Sequence, residues 1–238
     1  MKRVSLFFIL LFILVGCSNE DPISTDIGLN YFPLRTGDSW IYQLEETTIN
    51  QTSTLSTMYE LRVTVVDSSK NATGGYTYTF HRDKRTTAAD PWQTFETWTA
   101  RVNQNKLIQA EGNTLFVKLV FPLANTLTWN GNQFNNLPNG GNLFNGSGSE
   151  SYQASNYNQA TTLTTNLEYA NTITITHNNF DDPIVGKDVR KEIYARDVGL
   201  IYKEVTQLEY CSVGDCLGQQ KVDKGVILIQ TLKSYAAE

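Results

Sequence analysis

The chain is short of the residues on which metal and nucleotide chemistry depend. In 238 residues it has two histidines, three cysteines and two methionines, and His81 and His177 have no ligand-like spacing between them. A zinc site therefore lacks its donors, and no metal or cofactor is implied. Lysine and arginine never form a run, and acidic residues outnumber basic ones by 24 to 19. Nucleic acid and anionic lipid surfaces, which take most of their affinity from a positive patch, are poor partners for such a chain. No long segment carries a helical stripe of apolar residues, so the strand-to-helix glycine loops that cradle phosphates and dinucleotides have no place to form. Gly146-Ser147-Gly148-Ser149 lacks the spacing of a nucleophile elbow and sits among asparagines, where it reads as loop. Internal repeats of the propeller or solenoid kind are missing as well.

What is present begins at the N-terminus. Met1-Lys2-Arg3 is basic, Leu6 to Val15 is unbroken and apolar, and Leu14-Val15-Gly16-Cys17 matches the box at which bacterial lipoproteins are cleaved and lipidated. The run is too short to remain as a span, which needs roughly 20 apolar residues. Residues 1–16 read as a lipoprotein signal peptide, Cys17 as the lipidated residue, and 17–29 as a tether, opening with the acidic Ser18-Asn19-Glu20-Asp21-Pro22. Acyl methylenes contribute about 0.8 kcal/mol each, so two or more chains hold a protein on a bilayer that it does not cross. The expected location is the outer membrane, on its periplasmic or cell-surface face. Loss of Lys2 and Arg3 takes the formal net charge from −5 to −7.

Residues 30–238 are expected to form one β-rich domain. Thr, Tyr, Val and Ile alternate with period two: Trp40, Tyr42 and Leu44 share one strand face, Leu55 to Val65 another, and Tyr76, Tyr78 and Phe80 a third. The fold class read from this pattern is mainly β, a single antiparallel curved sheet or half-barrel with few helices, with a β-sandwich as the alternative. Residues 124–161, crowded with Asn and Gly, break the rhythm and read as a long irregular insertion that packs on the sheet as flap, edge cover or lid. Cys211 and Cys216 flank Ser212-Val213-Gly214-Asp215 in the loop of the last hairpin, where an exported protein would form a disulfide staple.

Candidate chemistry is sparse. Glu60, Glu96, Glu168, Glu192 and Glu204 lie on expected strands and could supply a glycosidase pair, although strand carboxylates are more often solvated surface. His81 falls on a polar face, as a surface imidazole would, and His177 on an apolar face, as a hydrogen-bonded core histidine would. No catalytic residue is assigned. Trp98 alternates with Ala100 and Val102 and reads as core, whereas Trp92 and Trp129 stand beside turn residues and read as exposed indoles able to meet a sugar ring or a lipid chain.

Two segments carry a family likeness. Tyr31 to Tyr42, with its PLxxGxxWxY pattern, resembles the opening of uncharacterised bacterial outer-membrane and surface lipoproteins, and Tyr194 to Glu204 resembles their YAxxVGLxYKE hairpin. Thr128-Trp129-Asn130-Gly131-Asn132 is similar to a turn found between them. The resemblance implies a curved antiparallel sheet like the half-barrels of lipoprotein carriers, and no known activity. The expectation is a non-enzymatic binding protein for an apolar or amphiphilic ligand held in a deep cavity. The alternatives are a glycan-binding or adhesion module with a filled core, and a scaffold subunit of an envelope complex.

Overall fold

The computed structural model describes residues 26–144, 151–164 and 167–237. Cys17, the signal peptide and most of the tether lie outside them. Among the described residues twelve strands run in chain order: β1 Ser39–Asn50, β2 Ser53–Lys70, β3 Tyr76–Arg85, β4 Gln93–Asn103, β5 Lys106–Glu111, β6 Thr114–Val120, β7 Thr128–Asn130, β8 Ser151–Thr164, β9 Leu167–Asp182, β10 Gly186–Ala195, β11 Gly199–Tyr210 and β12 Val222–Ala236. Three single turns of 3₁₀ helix complete the described secondary structure.

All twelve strands form one antiparallel sheet in the order β6-β5-β4-β3-β2-β1-β12-β11-β10-β9-β8-β7. It is a meander in which the first and last strands pair at the centre, from Ser39 opposite Ala236 to Ile49 opposite Gly225. Strand twist brings the two outer strands back together. The Val117 amide donates to the Gly131 carbonyl at 2.8 Å, the Trp129 indole donates to the Val117 carbonyl at 2.8 Å, and the Asn135 amide group donates to the Leu115 carbonyl at 2.7 Å. The sheet is thus a nearly closed barrel, more closed than a half-barrel, and its exposed edges are short.

The period-two patterns face the interior as expected. Trp40, Tyr42, Leu44, Leu61 and Phe80 are all buried. The β1–β2 hairpin outruns the barrel, and the same face then meets water, leaving Leu55 64% exposed. Chain direction defines two ends. Residues 26–38 lie across the proximal end, held where the Leu123 amide donates to the Ile27 carbonyl and the Asp197 amide to the Asn30 carbonyl. Phe32 reaches inward to Phe80 and Tyr194, with ring centroids 6.4 and 6.0 Å apart. The segment after β7 covers part of the distal mouth. There the Leu143 amide donates to Asp188 at 3.0 Å, the Gln207 side chain donates to the Gly141 carbonyl at 3.3 Å, and Phe144 stacks on Phe180.

This corrects the reading of residues 124–161 as wholly irregular. Their C-terminal part is β8, which places Tyr152 and Ala154 in the core. Its asparagines concealed it: Asn156 and Asn158 adopt positive φ, the pairing with β9 skips residues around them, and such kinks suit asparagine. The disulfide Cys211–Cys216 forms in the distal loop between β11 and β12. The two segments that carry the family likeness dock on each other. The Trp40 indole donates to the Val198 carbonyl, the Tyr42 hydroxyl to the Leu200 carbonyl at 2.9 Å, and Pro33 packs beside Gly199, whose φ of +95° suits glycine.

Candidate functional site

The interior is amphipathic, and two β-bulges lie at its polar part. On β6 the register against β5 passes from Leu119 to Val117, leaving Lys118 as the extra residue; on β9 the register against β10 passes from Thr176 to Asn178, leaving His177 as the extra residue. At Lys118 the bulge re-aims a side chain that alternation with Leu119 would send outward, whereas His177 keeps the face of Ile173 and Ile175. Both side chains turn inward, with 4% and 8% of their surface exposed.

They meet an ionic network that spans the barrel. Lys118 Nζ donates to Glu192 Oε1 on β10 at 2.6 Å and to Glu111 Oε1 on β5 at 3.1 Å. Lys203 on β11 lies 3.3 Å from Glu192 and 3.8 Å from Glu111. The Tyr194 hydroxyl donates to Glu192 Oε2 at 2.6 Å. His177 Nε2 stands 3.4 Å from the same oxygen but outside hydrogen-bond geometry, and its ring stacks on Tyr152 with centroids 4.0 Å apart.

Two lysines thus face two glutamates. Burial alone would raise the pKa of Glu192, but Lys118, His177 and Lys203 outweigh it and hold the carboxyl well below its usual range. Glu111 is lowered for the same reason, by Lys118 and Lys203. Burial disfavours the charged form of Lys118, yet the two carboxylates raise its pKa. Burial lowers His177, so its imidazole is neutral at pH 7, and burial together with Glu192 raises Tyr194. Neither carboxylate has the raised pKa that a general acid needs.

Beside the network lies a cavity of about 60 Å³. Trp40, Tyr42, Phe80 and Trp98 form one wall; Gln109, Gln230, Glu192 and Lys203 form another; Phe32 and Pro33 close the proximal side. Arg82 stacks on Trp98, its guanidinium carbon 3.8 Å from the ring centroid, and pairs with Glu96. Trp98 and Arg82 both line the cavity, and their Nε1 and Nε atoms are enclosed by protein without an acceptor among the described residues. Leaving such donors unmet costs about 1–3 kcal/mol each. The deep cavity expected of a carrier is not what the fold builds, because Phe32 and the bulged side chains fill the middle of the barrel. The remaining space suits a few waters or one small chemical group.

The sequence candidates are scattered. Glu192 lines the cavity, whereas Glu60 pairs with Arg85 and Lys233 away from it, Glu204 pairs with Lys191, and Glu168 is exposed. His81 is half-buried opposite Thr64, and His177 is the core histidine of the network. Trp92 and Trp129 were expected to be exposed, and both are half-buried. Trp92 lies against the guanidiniums of Arg62 and Arg85, and Trp129 is tied into the barrel seam. Trp98, read as core, is a half-buried cavity wall. Lys118, Lys203 and Glu111 escaped the sequence reading, although a lone lysine within Leu115-Phe116-Val117-Lys118-Leu119-Val120-Phe121 marks a cation the core must pair.

No protein-family model matches the chain, and no curated protein matches it in sequence. Among solved structures it is similar to a protein with a YmcC-like fold, taken to be exported, from Bacteroides fragilis. The identity is 12% over 87% of this chain and 98% of that one, with a TM-score of 0.40. It is also similar to a protein taken to be a lipoprotein from Parabacteroides distasonis, with 9% identity over 85% and 98% of the two chains and a TM-score of 0.32. At these scores neither likeness bears on function.

Proposed function

We propose that this is a lipid-anchored protein of the bacterial cell envelope, without catalytic activity, that binds a small amphiphilic ligand inside its barrel. The observation that carries the reading is a cavity that sets an aromatic wall beside an internally balanced ionic network, with enclosed donors on Trp98 and Arg82 left unmatched among the described residues. A core selected only for stability gains nothing from such donors. The polar group of a ligand would meet Gln109, Gln230 and Lys203, while its apolar part lies against Trp40, Tyr42 and Phe80. A ligand larger than one small group requires Phe32 and Pro33 to move outward. Lipid anchoring is read from the Leu14–Cys17 box.

The test is equilibrium binding of 1-anilinonaphthalene-8-sulfonate, with displacement by short-chain fatty acids. Phe32→Ala should tighten binding severalfold by opening the proximal side, and Leu61→Phe should weaken it by filling the cavity. Binding that neither substitution alters lies outside the barrel and contradicts the proposal.

A second reading has an observation of its own. A distal groove of about 750 Å³ runs between Met58, Tyr59, Lys84 and Phe95, with Met58 58% and Phe95 39% exposed. It suits a surface glycan-binding or adhesion module better than Trp92 or Trp129 does. Retention on glycan that Phe95→Ala abolishes without unfolding would favour it.

A further inference from the structure

We infer that the proximal end of the barrel is a membrane-docking surface that rests on the polar–apolar boundary of the bilayer. The inference builds on the proposed lipid anchor at Cys17 and adds which face of the domain meets lipid.

Three observations on the fold lead there. First, the chain enters the described domain at Asp26, and residues 26–38 lie across the proximal end. Eight residues, 18 to 25, separate Cys17 from that point, which makes nine Cα–Cα steps. Even fully extended they reach at most about 30 Å. The twelve residues of β1 span about 40 Å of strand, or about 30 Å along the axis of a barrel with ordinary strand tilt. Turning the distal loops to the bilayer would consume the whole reach of the tether along the barrel wall.

Second, the proximal end is apolar where the chain enters. A groove of about 510 Å³ runs between Leu29, Phe32, Pro33 and Leu34 on the crossing segment and Val102 on β4. Leu29 is 46% exposed, and Tyr76, at the proximal start of β3, is 45% exposed. Aliphatic side chains with a tyrosine and an exposed arginine, here Arg35, are the residues that settle at a membrane interface.

Third, Phe32 and Pro33 line both this groove and the interior cavity. They form a partition between the two. A barrel docked by this end faces its cavity toward lipid, which supplies amphiphiles.

The distal end carries exposed aliphatics too, with Ile184 at 49%, Leu217 at 55% and Val213 at 74%. They serve as the competing surface in the experiment. The full mature protein, purified from its own envelope, is reconstituted into phosphatidylcholine–phosphatidylethanolamine vesicles with a trace of diazirine-tailed phosphatidylethanolamine, irradiated and digested. Cross-links are mapped by mass spectrometry.

Docking by the proximal end predicts cross-links on peptides bearing Leu29 to Arg35 and Val102, at least fivefold above those bearing Ile184 or Val213. Leu29→Glu should lower the proximal yield severalfold with an unchanged melting temperature. Cross-links concentrated on the distal loops, or none on the domain, overturn the inference. The mass of the N-terminal peptide reports separately on the anchor. If Cys17 carries no lipid the anchoring proposal fails, and the cross-link distribution of the vesicle-bound protein still decides the surface.

Discussion

Replacing Glu192 by Gln preserves side-chain shape and removes the charge that joins the interior network. Glu192 is 2% exposed on its side chain and accepts from Lys118 and Tyr194. Without its charge Lys118 keeps Glu111 at 3.1 Å, and Lys203 keeps the same carboxylate at 3.8 Å. Two buried or half-buried cations would then share one anion. Removing one partner of a buried pair costs about 3–5 kcal/mol, and the surviving Glu111 contacts point to the lower figure, about 3 kcal/mol. In a domain of this size about 1 kcal/mol moves the melting temperature by about 2–4 °C, so the midpoint should fall by roughly 6–12 °C. Thermal unfolding followed by circular dichroism measures it. The double variant Lys118→Met, Glu192→Leu should regain most of the loss, because an apolar pair needs no desolvation of charge. A Glu192→Gln protein within about 1 kcal/mol of the parent, or a double variant worse than the single, would refute the claim that these charges are desolvated and mutually dependent.

His177 has a folded pKa below its usual 6.5 because it is buried, so its contribution is fully present above about pH 6.5 and is lost as pH falls through the folded value. Unfolding free energy should decline between pH 7.5 and 5.5, and His177→Gln should flatten that slope; an equal slope in the variant would contradict the assignment. Glu192, lowered in the fold, stabilises above its unfolded value near 4.3, so the parent should lose further stability below pH 4.5, more than Glu192→Gln does. Cys211→Ser with Cys216→Ser opens a loop of sequence separation 5 and should cost about 2 kcal/mol, read from denaturant midpoints; a loss above about 4 kcal/mol would mean that the loop is more than a peripheral staple. A side chain at Gly131 would collide with the Tyr152 ring, so Gly131→Val should destabilise by about 1–3 kcal/mol and speed hydrogen exchange at the Val117 amide, which donates to Gly131; unchanged exchange would mean the barrel seam does not depend on this contact.

Strand content, antiparallel pairing and the interior placement of Trp40, Tyr42 and Leu61 were legible because half-buried strands alternate with period two, and these side chains all face one core. The last hairpin and its disulfide followed from cysteine spacing in a loop. Closure of the barrel was not legible. It depends on contacts between Val117 and Gly131 that no local pattern announces. Part of the polar interior was hidden by a bulge: counting by twos along β6 sends Lys118 outward, because the strand carries one residue too many, whereas the same count along β9 sets His177 on the face of Ile173 and Ile175. Trp92 and Trp129 misled for a simpler reason. Proximity to a turn says little about exposure when guanidiniums or a barrel seam lie beside the ring.

Native mass spectrometry of the protein recovered from its own envelope in mild detergent, set beside the same protein after denaturation and refolding, addresses the central claim most directly. A ligand held beside Trp98 and Arg82 predicts an additional mass of a small amphiphile in the recovered sample. It should be absent after refolding and diminished in the Leu61→Phe protein. Identical masses before and after refolding, in a protein that also fails to take up amphiphiles when they are supplied, would contradict the account.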